Sequence, residues 1–257
     1  MSASMEPLVS VIMPVHDSDR YLADSIGSAL AQTESDLELI IVDDASTDGS
    51  SAIIDKAASF DGRVEPVRLE DNVGVARSRN LALSRARGRY VAFLDSDDVW
   101  EPDKLAKQLG LMRRTGLPIC ASAYRLQVEG GRGDWVFHVP PLIRYEDMLR
   151  ANYIGCSTAL VRRDLVPDQL FDPALVHEDY GAWLLLMKGG ACACGIDEPL
   201  ATYRVRRGSR SSNKVRAAWG RWQALKRCTD EPLVRRLGFF ASYAVAALKK
   251  YGVRHGS

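Results

Sequence analysis

An α/β architecture is expected from this chain: a mostly parallel sheet with helices on both faces, followed by a C-terminal helical segment. Three observations lead there. Short β-branched runs alternate with helix-period segments through the first part of the sequence. Three of those runs end in polar residues, His16-Asp17, Asp43-Asp44 and Asp95-Ser96-Asp97-Asp98. From Val215 onward the pattern is helical and basic. A β-α-β-α-β-α-β order builds parallel sheets covered on both faces, and such open sheets collect ligands at the C-terminal ends of their strands.

"LVSVIMPV" (Leu8–Val15) is short, β-branched and stopped by Pro14, as a buried strand is. "YLADSIGSALAQT" puts Leu22, Ile26, Ala29 and Leu30 on one helical face. "LELIIVDD" (Leu37–Asp44) reads as the second buried strand. Ser46 or Thr47 is the expected N-cap of the helix after it, with Ile53, Ile54 and Ala57 turned inward. "RVEPVRLE" is a weaker strand whose Pro66 points to a sheet edge. "VGVARSRNLALSRAR" follows as a helix and "RYVAFLD" as a fourth strand. After the helix of "EPDKLAKQLGLMRR" the pattern loosens, and residues 117–200 show one clear helix near "HEDYGAWLLLMKGG".

At 257 residues and 46% hydrophobic content the chain has ample material for a core. The net charge of +1 conceals an asymmetry: Arg204–Lys250 holds 13 Lys and Arg against Asp230 and Glu231. An acidic body with a basic end suggests an anionic partner for that end. Five cysteines without a C-x-x-C pair favour a reducing compartment over a disulfide framework or a zinc site. No secretory signal is expected at "MSASMEPLVSV", and the apolar Leu237–Leu248 stretch is shorter than the ~20 residues of a bilayer span.

The stretch "RYVAFLDSDDVWEP" carries the chemistry. Alternate side chains of an extended segment share a face, so Asp95 and Asp97 can point one way while Ser96 points back. Two carboxylates on one side suit a hard divalent cation such as Mg²⁺ or Mn²⁺, whose shell water and phosphate oxygens complete. A plainer explanation is equally open at this point: Asp97 or Asp98 caps the helix after Pro102. For "VDDASTDGS" a strand end and capped helix explain the acids, although a carboxylate there could accept a nucleobase N–H or ribose hydroxyls. "NVGVARSRN" lacks the spacing of a dinucleotide-binding loop or a P-loop; its arginines either sit near phosphates or decorate a solvated face. Glu178 and Asp179 start a helix, where acids also serve the helix dipole. Neighbours on a helix point about 100° apart, so only one of the two faces a substrate readily.

Taken in order and spacing, "VSVIMPVHDSDRYLADSIGSALAQT", "LELIIVDDASTDGS", "NVGVARSRN" and "GRYVAFLDSDD" resemble family 2 glycosyltransferases of the GT-A fold, and "HEDYGAWLLL" and "YRVRRGSRSSNK" extend the likeness to about residue 214. It is nearest to bacterial members that build surface polysaccharides or teichuronic-acid-like polymers. The resemblance implies an inverting transferase using a nucleotide-diphosphate sugar, commonly UDP-linked, with Mn²⁺ or Mg²⁺. Pro14, Val15 and His16 would line the base pocket. Asp43 and Asp44 would contact uracil or ribose, with Arg79 and Ser96 also on the nucleotide sugar. Asp95 would hold ribose or metal, Asp97 would be the main metal ligand, and Asp179 of "HED" the general base. Arg206 stands where relatives often have histidine, and a guanidinium cannot ligate a cation. His177 either orients the acceptor or packs, and packing is the commoner case.

This reading divides the chain into a nucleotide-sugar half (1–115), an acceptor half (116–214) and a basic amphipathic tail (215–257). Expected partners are the donor, a glycan or lipid-diphosphate-linked acceptor, and for the tail either an anionic membrane surface or a second copy of the chain; nucleic acid is not among them. The expected location is the cytoplasm, at the inner face of the membrane. Two alternatives stand beside it. A sugar-nucleotide nucleotidyltransferase usually needs a glycine-rich, Lys/Arg-bearing loop after the first strand, which "PVHDSDRYL" lacks. A non-catalytic sugar-nucleotide-binding protein would have no need of Asp95, Asp97 and Asp179 together.

Overall fold

The computed structural model describes residues 6–129, 135–205 and 214–252. Its first half follows the expected alternation: β1 (Val9–Val15), α1 (Asp19–Leu30), β2 (Leu37–Asp43), α2 (Ser50–Phe60), β3 (Val64–Arg68), α3 (Val75–Arg85) and β4 (Tyr90–Phe93). A short β5 (Val99–Trp100) and α4 (Lys104–Thr115) complete it. The second half contributes β6 (Ile119–Val128), β7 (Trp135–Phe137), β8 (Leu142–Ile143), α5 (Tyr145–Arg150), β9 (Ala159–Arg162), α6 (Glu178–Lys188) and β10 (Ala193–Val205). Two helices follow, α7 (Lys214–Cys228) and α8 (Leu233–Gly252).

The described strands form one sheet in the order β3-β2-β1-β4-β9-β6-β10-β5, with β7 on β6 and β8 on β10. β1 pairs parallel with β2 and β4, and β2 with β3. Beyond β4 the sheet is mixed, because β9 runs antiparallel to both β4 and β6 while β10 runs parallel to β6. Pro66 lies in β3, at the edge, where its missing N–H costs no ladder bond.

Strand alternation sends side chains to two cores. Val11, Met13, Leu39 and Ile41 meet Leu22, Ile26, Ile54, Leu105 and Leu109 from α1, α2 and α4. Ile12, Ile40, Val42 and Phe93 meet Leu83, Trp183, Leu184 and Leu225 from α3, α6 and α7. Each fully buried aliphatic side chain is worth roughly 1.5–3 kcal/mol, so both helical layers are held by the same strands.

Two capping expectations are corrected. α2 begins at Ser50, with Gly49 at its N-cap. Ser46 and Thr47 stay in the loop because carboxylates claim their backbone N–H groups: Ser46 donates to Asp43 and Thr47 to Asp17. α4 has Asp103 at its N-cap, so neither Asp97 nor Asp98 serves there.

α7 is no detached tail. Ala224, Leu225 and Cys228 join the core beneath α6. Arg221 is buried, lies 3.8 Å over the Tyr180 ring and donates to the Met148 and Leu149 carbonyls at 2.9 and 3.0 Å. Gly220 permits this close fit: a Cβ there would meet His177 Cδ2 at 2.7 Å. α8 buries Phe239 and turns Leu233, Val234 and Leu237 outward. Among the described residues no helix is long and apolar enough to cross a membrane.

Candidate active site

The C-terminal ends of β1 and β2 are laced together. The Asp44 N–H donates to the Val15 carbonyl at 2.8 Å, and His16 Nδ1–H donates to the Asp44 carbonyl at 2.8 Å, fixing the ring at the rim. Asp17 and Ala45 both adopt positive φ, 45° and 55°. Aspartate tolerates that conformation and alanine pays for it, so the paired loops hold local strain of the kind that collects at functional sites. Pro14 and Val15 are buried beneath this rim and His16 is exposed on it.

Asp43 and Asp44 are both buried, and the loops already engage their carboxylates. Asp43 accepts from the Ser46 N–H and the Ser51 hydroxyl. Asp44 accepts the Val73 and Gly74 N–H groups at 2.7 and 2.8 Å. Gly74, at φ 87°, makes the turn into α3 that aims those donors. Both acids therefore scaffold the loops at this rim, and any nucleotide contact would use the lone pairs a carboxylate has left.

In the acidic turn the four residues diverge. Asp95 and Asp97 are half-buried. Ser96 and Asp97 lie in a turn closed by the Asp98 N–H on the Asp95 carbonyl at 3.1 Å, not in the extended segment expected, and the Ser96 hydroxyl meets the Ser18 hydroxyl at 2.8 Å, held by the start of α1 rather than offered to a nucleotide sugar. Asp98 is buried, accepts from the Ser157 hydroxyl at 2.6 Å and from the Arg204 N–H at 3.2 Å, and so ties the turn to the second half. Burial pushes its carboxyl well above the usual range, and the charges of Asp95 and Asp97 add to the effect. Ser157 also receives the Asp95 N–H at 3.1 Å, and its carbonyl takes the Trp100 indole N–H at 2.7 Å. Ser157 was not legible in the sequence: it lies 62 residues from Asp95 in a segment without periodicity.

Arg79 departs from its expected role. Its side chain is 3% exposed, with Nη2 on Asp95 Oδ1 at 2.5 Å and Nη1 on Glu178 Oε1 at 2.8 Å. Both ends of the guanidinium are thus taken by carboxylates, so it supports the site from below rather than reaching into it for a nucleotide sugar. Asp179, next in the first turn of α6, is pushed above the ordinary carboxylate range by burial and by the Glu178 charge, against the opposing pull of Arg79 and His177. His177 packs, donating Nε2–H to the Ala217 carbonyl at 3.1 Å on α7. The Cys156 thiol belongs to the same electrostatic cluster: burial raises it, Arg79 opposes, and Asp95, Asp179 and Glu178 raise it further. Arg206 lies outside the described residues.

Among the described residues no three His, Cys, Asp or Glu side chains form a ready-made metal cage. The donor chemistry nevertheless fits Mg²⁺ or Mn²⁺, which typically take one or two carboxylates and complete the shell with phosphate and water. Asp95 and Asp97 are hard oxygen donors, each near enough to Asp98 for its charge to raise that carboxyl.

A sheet that gathers acids from several strand ends beside a helix-borne carboxylate has the architecture of the GT-A glycosyltransferases. S. aureus TarS 1–349, solved with UDP-GlcNAc, matches with a TM-score of 0.67 at 20% identity over 94% of this chain and 72% of that one. The mannosyltransferase PcManGT from Pyrobaculum calidifontis, solved with GDP-Man and Mn²⁺, matches with a TM-score of 0.68 at 18% identity over 99% and 77%. These likenesses speak for the fold. The model of glycosyl transferase family 2 matches residues 10–166. The putative teichuronic acid biosynthesis glycosyltransferase TuaG of Bacillus subtilis is 39% identical over 246 residues, covering 95% of this chain and 98% of TuaG. WfgD of Escherichia coli, a UDP-Glc:α-D-GlcNAc-diphosphoundecaprenol β-1,3-glucosyltransferase, is 34% identical over 248 residues, 95% of each chain. The chain belongs to glycosyl transferase family 2.

Proposed function

We propose that this glycosyltransferase moves a sugar from a UDP-linked donor, with inversion, to a hydroxyl of a glycan carried on a lipid diphosphate, in surface-polysaccharide synthesis. The observation that carries the reading is the division of labour at α6: Glu178 is engaged by Arg79, and the carboxyl of Asp179 beside it is raised by burial and by the Glu178 charge, the direction that favours a base. Transfer breaks the bond between the anomeric carbon and the β-phosphate oxygen. Asp179 takes the proton of the attacking hydroxyl on the opposite face, as the base of an inverting glycosidase does for water. Asp95 and Asp97 would hold the Mg²⁺ or Mn²⁺, which when bound neutralises charge on the departing diphosphate. The β1 and β2 rim, with Pro14, Val15, His16, Asp43 and Asp44, would seat the base and ribose.

The acceptor class follows TuaG and WfgD, which act in teichuronic acid synthesis and on a lipid diphosphate by their names. The basic α7–α8 region, with the apolar residues that α8 turns outward, suits the cytoplasmic face of an anionic membrane. A homodimer through α8 is the competing use of that face, and it would bring two strongly basic segments together.

The test is a product assay with UDP-glucose or UDP-GlcNAc, Mn²⁺ and GlcNAc-diphosphoundecaprenol. Release of UDP with an inverted glycosidic product supports the reading. Pyrophosphate release would show nucleotidyl transfer instead, and donor binding without turnover would show a sugar-nucleotide-binding protein. Asp179→Asn lowers the rate by about 10²–10⁴-fold while UDP affinity survives; transfer near the wild-type rate would remove Asp179 as the base.

A further inference from the structure

We propose that Arg79 is a positioning residue that sets the distance between the donor end of the site and the base. One guanidinium on α3 joins the acidic turn after β4 to the start of α6. This inference rests on the reading of Asp179 as the base.

The contacts span the chain: Arg79 is 16 residues from Asp95 and 99 from Glu178, and it holds both at hydrogen-bonding distance. The Phe171 ring lies against the guanidinium, 5.3 Å from Cζ to centroid. Asn80, the next residue, secures the segment carrying that ring, donating to the Phe171 carbonyl at 2.7 Å and accepting the Phe171 N–H at 2.9 Å. Arg79 Nε is buried without a hydrogen-bond partner. An unmet buried donor is costly, so the orientation of the group is set by its two carboxylates at the expense of its own third donor side. A planar fork can serve two acceptors at a fixed spacing, which the point charge of a lysine cannot. Asp179 follows Glu178 directly in the first turn of α6, so whatever holds Glu178 also sets how far the base stands from Asp95 and the bond to be broken.

Glu178→Gln removes the charge on one arm with almost no change of volume and leaves the Arg79–Asp95 pair in place. Arg79→Lys keeps the buried charge and loses the fork. Both are assayed with UDP-glucose or UDP-GlcNAc, Mn²⁺ and GlcNAc-diphosphoundecaprenol, beside UDP affinity and melting temperature. A base displaced by about an ångström loses kcat on the order of 100-fold, while donor KM and UDP affinity stay within about threefold. Glu178→Gln with kcat near wild type overturns the proposal. So does a parallel loss of kcat and UDP affinity, which would place the pair in donor binding. If Arg79→Lys does not fold, Glu178→Gln decides alone. A wild-type protein without transfer activity would break the proposed function instead, which separates the two failures.

Discussion

In the first half of the sheet, β1, β2 and β4 are parallel, and each delivers its polar residues from its own C-terminal end: His16, Asp44 and Asp95. The second half works differently. Its strands are mixed in direction, and its contributions come from a short turn, Ser157, and a helix start, Glu178 and Asp179. The first half places groups by topology, since parallel strands necessarily end together. The second places them by side-chain ties to the first: Ser157 to Asp95 and Asp98, and Glu178 to Arg79. The strand-end rim is therefore built locally, while the position of Asp179, the proposed base, depends on a few long-range polar contacts.

Three substitutions sharpen the contrast beyond loss of the base itself. The largest effect on stability is expected in the second half, at Arg221→Met. It leaves the Met148 and Leu149 carbonyls without their donor and removes the cation from the Tyr180 ring. Destabilisation of about 3 kcal/mol is expected, read as a lower denaturation midpoint; an unchanged midpoint would mean that α7 does not brace α6. Next comes Asp97→Ala in the first half. It weakens Mn²⁺-dependent UDP binding roughly tenfold, ~1.4 kcal/mol, and leaves the melting temperature of the free protein nearly unchanged. Equal UDP affinity with and without the substitution would rule out a metal at Asp97.

The smallest effect on activity is expected at Lys104, buried in the α4 core 4.0 Å from the Trp100 ring centroid, with its ammonium on Gln108. Burial lowers its pKa to about 7 from 10.5. The unfolded chain thus binds more protons than the native one between those values, and stability rises with pH across that window. Lys104→Met stabilises near pH 6 by roughly 1–4 kcal/mol, and the gain shrinks toward pH 10. Melting curves at both pH values check the sign; a constant difference would mean that the lysine stays charged throughout.

As the proposed base, Asp179 with its raised pKa makes activity fall as pH drops through a value above that of an ordinary carboxylate. Its contribution to stability runs the other way, present at low pH and lost as pH rises through the folded value.

Legibility followed the same divide. Strand and helix periods in residues 9–93 depend on neighbours a few places apart, so the order β1 to β4 and the edge position of Pro66 could be read directly. The caps could not: Ser46 and Thr47 are kept out of α2 by Asp43 and Asp17, and the Asp17 contact reaches 30 residues back along the chain. Arg79 looked like one more arginine on a helix. Only the approach of Glu178 from 99 residues away makes it a buried bridge.

By itself the amino-acid order determined the alternating elements, the family and the set of acids from which the site is made, because periodicity and motif spacing are local properties of a chain. The tertiary structure alone decided what each acid does. Asp44 clasps a turn, Asp98 ties the two halves together, and Glu178 is held by Arg79, beside Asp179, the proposed base. Those assignments rest on which charges are buried beside one another, and that depends on how distant segments pack.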